Sequence, residues 1–385
     1  MAARIVLFGA TGYTGRLVAE AMVGRGLRPV LAARNAERLR ELAGELGSDL
    51  EVAAADVADP PSVRDLVEAG DVLVTTVGPF VRWGGPAAAA ASAAGAHYLD
   101  STGEPPFIRE VFERYGAAAE QSGSGMVTAF GYDWVPGNLA GALALRRAGD
   151  AATRVDTGYF MTGSSDSGSM SGGTRASLAG VMSAPSFAFR DGRIRTERGA
   201  RRLRSFRIGE REKAGVSVGS SEHFALPRLA PGLMEVNAYL GWFGPASRAM
   251  QVLSASTAAG MKIPGVARLW EAATSQLVKG STGGPDSAAR ARSGSHIVAI
   301  AYDQSGRELS EVHVTGVDGY TFTGKILAWG AERAAAGGLQ GTGALGPADG
   351  FGLDALVEGC REAGISEQGD QPPAPAPAPG HATAS

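Results

Sequence analysis

The chain has 385 residues, 44% of them hydrophobic and 19% charged, with a formal net charge of −3. That length suffices for more than one packed core and the composition is that of an ordinary globular enzyme, while the slight acidic balance gives no electrostatic ground for nucleic acid as a partner. The single cysteine, Cys360, excludes intramolecular disulfides and thiolate metal clusters, and the five histidines lack the spacing of a zinc site, so no metal is expected.

The first element sets the frame. An apolar run, Ile5–Phe8, enters the turn Gly9-Ala10-Thr11-Gly12-Tyr13-Thr14-Gly15, which opens into a helical pattern over Arg16–Val23. A G-x-x-G-x-x-G turn between strand and helix cradles phosphates. Gly9 permits the sharp turn, Gly12 the approach of backbone to a pyrophosphate, and Gly15 close packing of helix on sheet; Thr11, Tyr13 and Thr14 complete the candidate cofactor cradle. Apolar and helical segments then alternate: Pro29–Ala33, Ala36–Leu46, Glu51–Ala54, Pro61–Ala69, Asp71–Thr76, Gly85–Ala94, His97–Asp100, Pro105–Gln121 and Met126–Ala129. This rhythm predicts a Rossmann-type α/β fold, a doubly wound parallel sheet with helices on both faces.

The second strand ends at Arg34-Asn35, where NAD-specific sites place an acid on the ribose 2′-hydroxyl about twenty residues into the unit. An arginine there suits a 2′-phosphate, and Arg38 one turn later suits it equally, so NADP(H) is preferred over NAD. Asp56, after the third strand, is a candidate for the adenine edge or a cap of the following helix. Ligands in such sheets lie at the carboxyl ends of the strands. Three further segments end there: Val77-Gly78-Pro79-Phe80, with a rigid Gly-Pro turn expected against the cofactor; Tyr98–Glu104; and Tyr132–Asn138.

Past residue 135 the rhythm breaks. Strand candidates Arg154–Met161, Ser186–Phe189, Glu235–Leu240, Ser295–Tyr302 and Leu309–Thr315 stand among glycine-rich loops, with helical patterns over Ala249–Gly260 and Val266–Lys279. The expected organisation is a cofactor domain over 1–135, a mixed α+β substrate and dimerisation domain over 136–325, and helices over 326–366 that return to the first domain, with Tyr320–Ala335 and Gly352–Ala363 reading as helical. The Pro/Ala-rich tail over 367–385 reads as a disordered extension.

These blocks carry a family resemblance. Gly9–Gly15, Thr75–Phe80 with Arg82-Trp83-Gly84, Tyr98–Glu104, Gly131–Pro136, Ser171-Gly172-Gly173-Thr174, and Gly284-Pro285 before Ala288-Ala289-Arg290 resemble the saccharopine dehydrogenase-like oxidoreductases, more narrowly the branch that includes the mycobacterial trans-acting enoyl reductases. The resemblance implies NADP(H) chemistry, an amino-terminal Rossmann domain and a homodimer. Trp134 departs from the enoyl-reductase pattern, in which small polar residues follow the aspartate.

If hydride comes from the cofactor, the protein has to orient the substrate and move a proton, for which Tyr132, Asp133, Tyr98 and Glu104 are the candidates. Each also has a structural reading. Asp133 or Glu104 is a helix cap, Tyr98 a buried strand residue, and Trp134 interdomain packing. Ser171–Thr174 reads either as an anion site or as a flexible helix entry. Nine arginines in Arg190–Lys213 read either as a receptor for an anionic arm or carrier or as a solvated hairpin. The expected activity is NADP-dependent reduction of a C=C or C=N bond in a small or carrier-tethered metabolite. An amino-acid dehydrogenase and a non-catalytic NADP(H) sensor or scaffold are the alternatives. The near-immediate first strand and the lack of a long apolar stretch lead to an expected cytoplasmic location without stable membrane insertion.

Overall fold

Period-two burial in the first strand decides how the amino-terminal sheet is covered. In β1 (Ile5–Phe8), Ile5 and Leu7 join one core cluster, with Val18 and Met22, while Val6 and Phe8 join another, with Ala87, Ala91 and Phe107. Both faces are therefore buried, as an all-parallel sheet requires. The computed structural model describes residues 3–47, 49–163, 185–242, 244–260 and 283–369. After β1 come α1 (Tyr13–Gly24), β2 (Val30–Ala33), α2 (Ala36–Glu45), β3 (Val52–Ala54), α3 (Pro60–Arg64), β4 (Val72–Thr75), α4 (Phe80–Trp83), α5 (Gly85–Ala94) and β5 (His97–Asp100). Next are α6 (Pro105–Glu110), a π-helical turn Val111–Tyr115, α7 (Gly116–Ser122), β6 (Gly125–Val127) and α8 (Val135–Ala148).

The second sheet follows: β7 (Arg154–Gly163), β8 (Pro185–Arg190), β9 (Arg193–Arg198), β10 (Leu203–Ile208), β11 (Arg211–Val218), α9 (Glu222–Leu229), β12 (Glu235–Leu240), α10 (Ser247–Gly260), α11 (Ser287–Ala291), β13 (Ser293–Tyr302) and β14 (Glu308–Val317). The chain ends through α12 (Gly319–Ala335), β15 (Gly343–Ala344), α13 (Pro347–Phe351), α14 (Leu353–Ala363) and β16 (Ile365–Glu367).

The seven parallel strands of the first sheet run β15-β6-β5-β4-β1-β2-β3, so the order reverses between β1 and β4. That reversal opens a crevice at the carboxyl ends of these two strands. The mixed second sheet runs β10-β11-β12-β7-β13-β14-β16, with β8 and β9 off β12; within it β12 and β7 pair parallel and the other pairs are antiparallel. Helix α8 packs on β7, β13 and β14. Helix α12 crosses α1 so closely that a Cβ on Gly324 would stand 3.1 Å from Leu17 O. The carboxyl-terminal segments thus contact both sheets: α12 lies on the first, β15 pairs with β6, and β16 pairs with β14.

The structure shortens or divides some expected elements. The helix expected over Pro61–Ala69 ends at Arg64, because Asp71 Oδ2 accepts from Glu68 N (3.0 Å) and from Arg4 Nη2 (3.0 Å) and turns the chain into β4. The single helix expected over Pro105–Gln121 is divided by the π-helical turn. The arginine-rich stretch forms hairpins, as one of its two readings expected: it runs from the end of β8 to the start of β11 in two antiparallel pairs. The expected helix Val266–Lys279, the block Ser171–Thr174 with its helix entry, and the tail from 370 onward lie outside the described residues.

Candidate functional site

The crevice begins at the glycine turn. Gly9 has φ +95°, and a Cβ there would lie 2.7 Å from Thr76 Oγ1; a Cβ on Gly15 would lie 2.1 Å from Gly9 O. Both positions therefore need glycine. Gly12 is the N-cap of α1 and brings no side-chain cap, which leaves the helix's first N–H groups for an anion. Gly9, Thr11, Gly12, Tyr13, Thr14 and Gly15 all line a cavity of about 580 Å³, within the usual range for a ligand site.

At one end this cavity meets the tips of β2 and β3. Arg34, Asn35, Arg38 and Asp56 line it together. Asn35 Oδ1 accepts from Glu37 N (2.9 Å) and Arg38 N (3.1 Å), capping α2 and fixing the two arginines at the rim. Neither Arg34 nor Arg38 pairs with a carboxylate among the described residues, so both guanidinium groups remain for an anionic ligand. Asp56 Oδ1 accepts from Ala58 N (3.0 Å), which orders the turn after β3.

Toward the other end, Val77, Gly78, Pro79 and Phe80 form the wall after β4. Glu104, from the loop after β5, holds that wall: its Oε1 accepts from Phe80 N (2.9 Å) and its Oε2 from Val81 N (3.0 Å). The carboxylate thus braces the first turn of α4, and we reassign Glu104 from proton transfer to positioning. Tyr98 also leaves the catalytic set. It is fully buried among Val6, Phe8 and Ala87 on the helix-covered face and lines neither this cavity nor the one adjoining it, and burial pushes its phenol far above the ordinary range.

The wall closes on the loop after β6. Asp100 fixes that loop by accepting from Ala129 N (2.9 Å), Thr102 N (2.8 Å) and Thr128 Oγ1 (2.7 Å), and burial raises its carboxyl to about 6. From the opposite side α12 holds the loop, since Tyr132 N donates to Thr323 Oγ1 (3.0 Å) and the Tyr132 ring lies where a Cβ on Gly319 would be 2.9 Å away. Asp133 lines the main cavity. Its Oδ1 is enclosed without a hydrogen-bond partner, its Oδ2 packs 2.7 Å from where a Cβ on Gly103 would sit, and burial raises the carboxyl to about 7. A buried acid poised there holds a proton near neutral pH. Trp134 is 1% exposed, edge-on to Tyr159 of β7 at 5.1 Å, and its backbone N donates to Ala129 O; it packs the two sheets together while one edge lines the cavity.

Behind Asp133 lies a buried acid that the sequence did not single out. Tyr159 Oη donates to Glu222 Oε1 (2.6 Å) and accepts from Gly137 N (2.9 Å), while burial raises Glu222 to about 7. A second cavity of about 150 Å³ adjoins the first, sharing Thr14, Ser101, Asp133 and Trp242; Tyr132, Arg290, Asp318 and Tyr320 line only this one. Its residues come from seven segments distant in sequence. Tyr132 and Asp133 were candidates from the sequence; Asp318, an acid directly before a helical stretch, was not singled out, and it caps α12 through Tyr320 N (2.9 Å).

The arginine-rich hairpins belong to the fold rather than to the site. Arg190 pairs with Glu235, Arg195 with Asp191 (2.9 Å), Arg202 with Glu197 (2.5 Å) and Arg204 with the buried Asp156. These partners neutralise much of the apparent anion receptor.

The cradle, its arginine rim and six of the seven strands of the parallel sheet lie within the segment that matches a known family model. Residues 5–127 match the family model described as the saccharopine dehydrogenase NADP binding domain. A Mycobacterium tuberculosis relative with a provisional trans-acting enoyl reductase name is 40% identical over 190 residues, 47% of this chain and 45% of the relative. The Mycobacterium ulcerans trans-acting enoyl reductase is 37% identical over 154 residues, 39% of this chain and 37% of that protein. The matches thus span less than half the length of these curated relatives. Among solved structures, Saccharomyces cerevisiae saccharopine dehydrogenase (L-Glu forming) aligns with a TM-score of 0.58 at 12% identity, over 95% of this chain and 99% of that one. Legionella pneumophila homospermidine synthase aligns with a TM-score of 0.57 at 9% identity, over 95% of this chain and 91% of that one. At such identities the likeness establishes the fold, a Rossmann-like parallel sheet joined to a mixed second sheet. No helix among the described residues is long and apolar enough to cross a membrane.

Proposed function

We propose that the chain is an NADP(H)-dependent oxidoreductase that reduces a C=C or C=N bond of a small or carrier-tethered metabolite. The carrying observation is one continuous cavity from Arg34 and Arg38, past the glycine turn, to the enclosed Asp133. The domain match and the enoyl reductase names of the relatives support the same reading.

The residues present fit the cofactor. The α1 N-terminus and the backbone of the glycine turn would hold its pyrophosphate, Arg34 and Arg38 its 2′-phosphate, and Val77–Phe80 the wall beside its nicotinamide. When bound, the reduced nicotinamide supplies hydride. The chain's own task is the proton. Asp133, kept protonated by burial up to about pH 7, donates to the atom that becomes electron-rich, and Tyr132 closes the wall of the adjoining cavity. Trp134 and Trp242 keep this end apolar and exclude water. The homodimer implied by the family resemblance is carried with this reading and is checked by light scattering.

The deciding experiment is NADPH oxidation against enoyl thioesters in one panel and amine plus 2-oxo-acid pairs in another, with NADH as control. Turnover of the first fixes C=C reduction and of the second an amino-acid type of C–N chemistry. Tight NADPH binding with neither consumed favours a sensor, and no NADPH binding overturns the reading.

A further inference from the structure

We propose that Arg290 is the receptor for a carboxylate carried by the substrate, seated in the cavity beside Asp133. This deepens the oxidoreductase reading and rests on it for the neighbouring cofactor.

Among the described residues lining that cavity, Arg290 is the one cation. Of the two acids beside it, Asp318 is engaged by Tyr320 N (2.9 Å) and Thr321 N (3.2 Å), and Asp133 is raised toward its neutral form by burial. Unlike the hairpin arginines, Arg290 pairs with no carboxylate among the described residues. It is nevertheless held in place. Nη1 donates to Tyr13 Oη (2.9 Å) and Pro285 O (3.0 Å), and Tyr13 in turn donates to Pro285 O and meets Tyr320 edge-on at 5.2 Å. A Cβ on Gly284 would strike the Tyr13 ring at 2.5 Å, so the strap Gly284-Pro285 lies directly on that ring.

One nitrogen of the fork is thereby fixed, and the Nε–Nη2 edge has no partner among the described residues. That planar edge matches the two oxygens of a carboxylate. A second observation points to a polar occupant: Tyr132 and Asp133 both line this cavity, and Asp133 Oδ1 is enclosed without a hydrogen-bond partner among the described residues. Buried polar groups are otherwise almost always satisfied. The volume of about 150 Å³ suits the head of a short acid rather than a phosphate-bearing arm. The arrangement also gives Tyr13 a role apart from phosphate: it is a positioning residue that ties the cofactor turn to the substrate receptor.

The test uses the full chain with and without NADP+, titrated calorimetrically with straight-chain monocarboxylates from acetate to hexanoate and with the matching primary amides. At least one acid should bind about tenfold or more tighter than its amide, as a charged hydrogen-bonded pair would give. Arg290→Gln should erase that preference, Arg290→Lys should keep part of it, and Tyr13→Phe should weaken it by loosening the fork. The proposal is overturned if no acid outbinds its amide in the natural protein, or if Arg290→Gln, shown folded by its circular dichroism, keeps the preference. Failure of NADP+ to bind would count against the dinucleotide reading alone, since the acid titration without NADP+ still decides the role of Arg290.

Discussion

The two ends of the main cavity are built by different means. The end around the glycine turn is made mostly of backbone within a short stretch of chain: Gly9 to Gly15, then the tip of β2. The end around Asp133 is made of residues from the loops after β5 and β6 and from β11 and β12, and the cavity adjoining it adds β7, β13 and the start of α12. A local site rests on conformations that single residues impose, so one added methyl group damages it. A dispersed site rests on burial and on partners held in three dimensions, so its sensitivity is to charge and hydrogen bonding.

The sharpest way to expose that contrast is Asp133→Asn. It keeps volume and removes the proton, so kcat for reduction should fall by about 10² to 10⁴ while NADPH affinity stays unchanged. The natural enzyme should lose rate as pH rises through about 7, where Asp133 ionises, and the variant should lack that limb. Equal losses in affinity and in kcat would mean that Asp133 supports the cofactor rather than the chemistry.

The local end should answer in the opposite sense. Gly15→Ala places a Cβ 2.1 Å from Gly9 O. Overpacking of this kind costs typically about 1–3 kcal/mol, which corresponds to about a 5- to 150-fold loss of NADPH affinity if the turn yields and to a lower Tm if it does not. Unchanged NADPH binding by a variant of unchanged Tm would remove the glycine turn from the site. A smaller effect is expected at the rim. Arg34→Ala and Arg38→Ala should each weaken NADPH by about tenfold and leave NADH nearly unaffected, because the lost partner is the 2′-phosphate. Equal losses with both nucleotides would rule out that role.

The same contrast explains what was legible in the sequence. The strands of the first sheet are apolar runs between turn signals, and the glycine turn, Arg34 and the Gly78-Pro79 turn occupy positions that local chemistry dictates, so the cavity they line follows from the pattern. Glu104 was legible as an acid at a strand end, yet whether it served catalysis or a helix start depended on where Phe80 N and Val81 N stood. Tyr98 failed for a similar reason, since alternation along β5 decides only that the residue faces one side, and that side is covered by α5. The arginine stretch stayed open between receptor and hairpin because partners such as Asp156 and Glu235 lie in other strands. Arg290 stood in a block that carried the family resemblance but without a role, and Tyr159 and Glu222 were beyond pattern altogether, being joined to the site only by packing.

Glu222→Gln gives the smallest effect, one of stability alone, and it sharpens the account of the dispersed end. Glu222 is fully buried and is raised by that burial to about 7 from an ordinary value of 4.5. The folded state therefore binds a proton that the unfolded state has already released between these values, so the stability it confers is complete below about 4.5 and declines as pH rises toward 7. Glutamine keeps the acceptor for Tyr159 Oη and never ionises. The variant should accordingly gain Tm relative to the natural protein by a few degrees between pH 5 and pH 8, measured by calorimetry at matched ionic strength. A constant difference across that range would mean that Glu222 is ionised in the folded state throughout, and that a cation or water stands against its second oxygen. In that case Asp133 would face a fixed negative charge, and the pH limb of kcat should move upward rather than stay near 7.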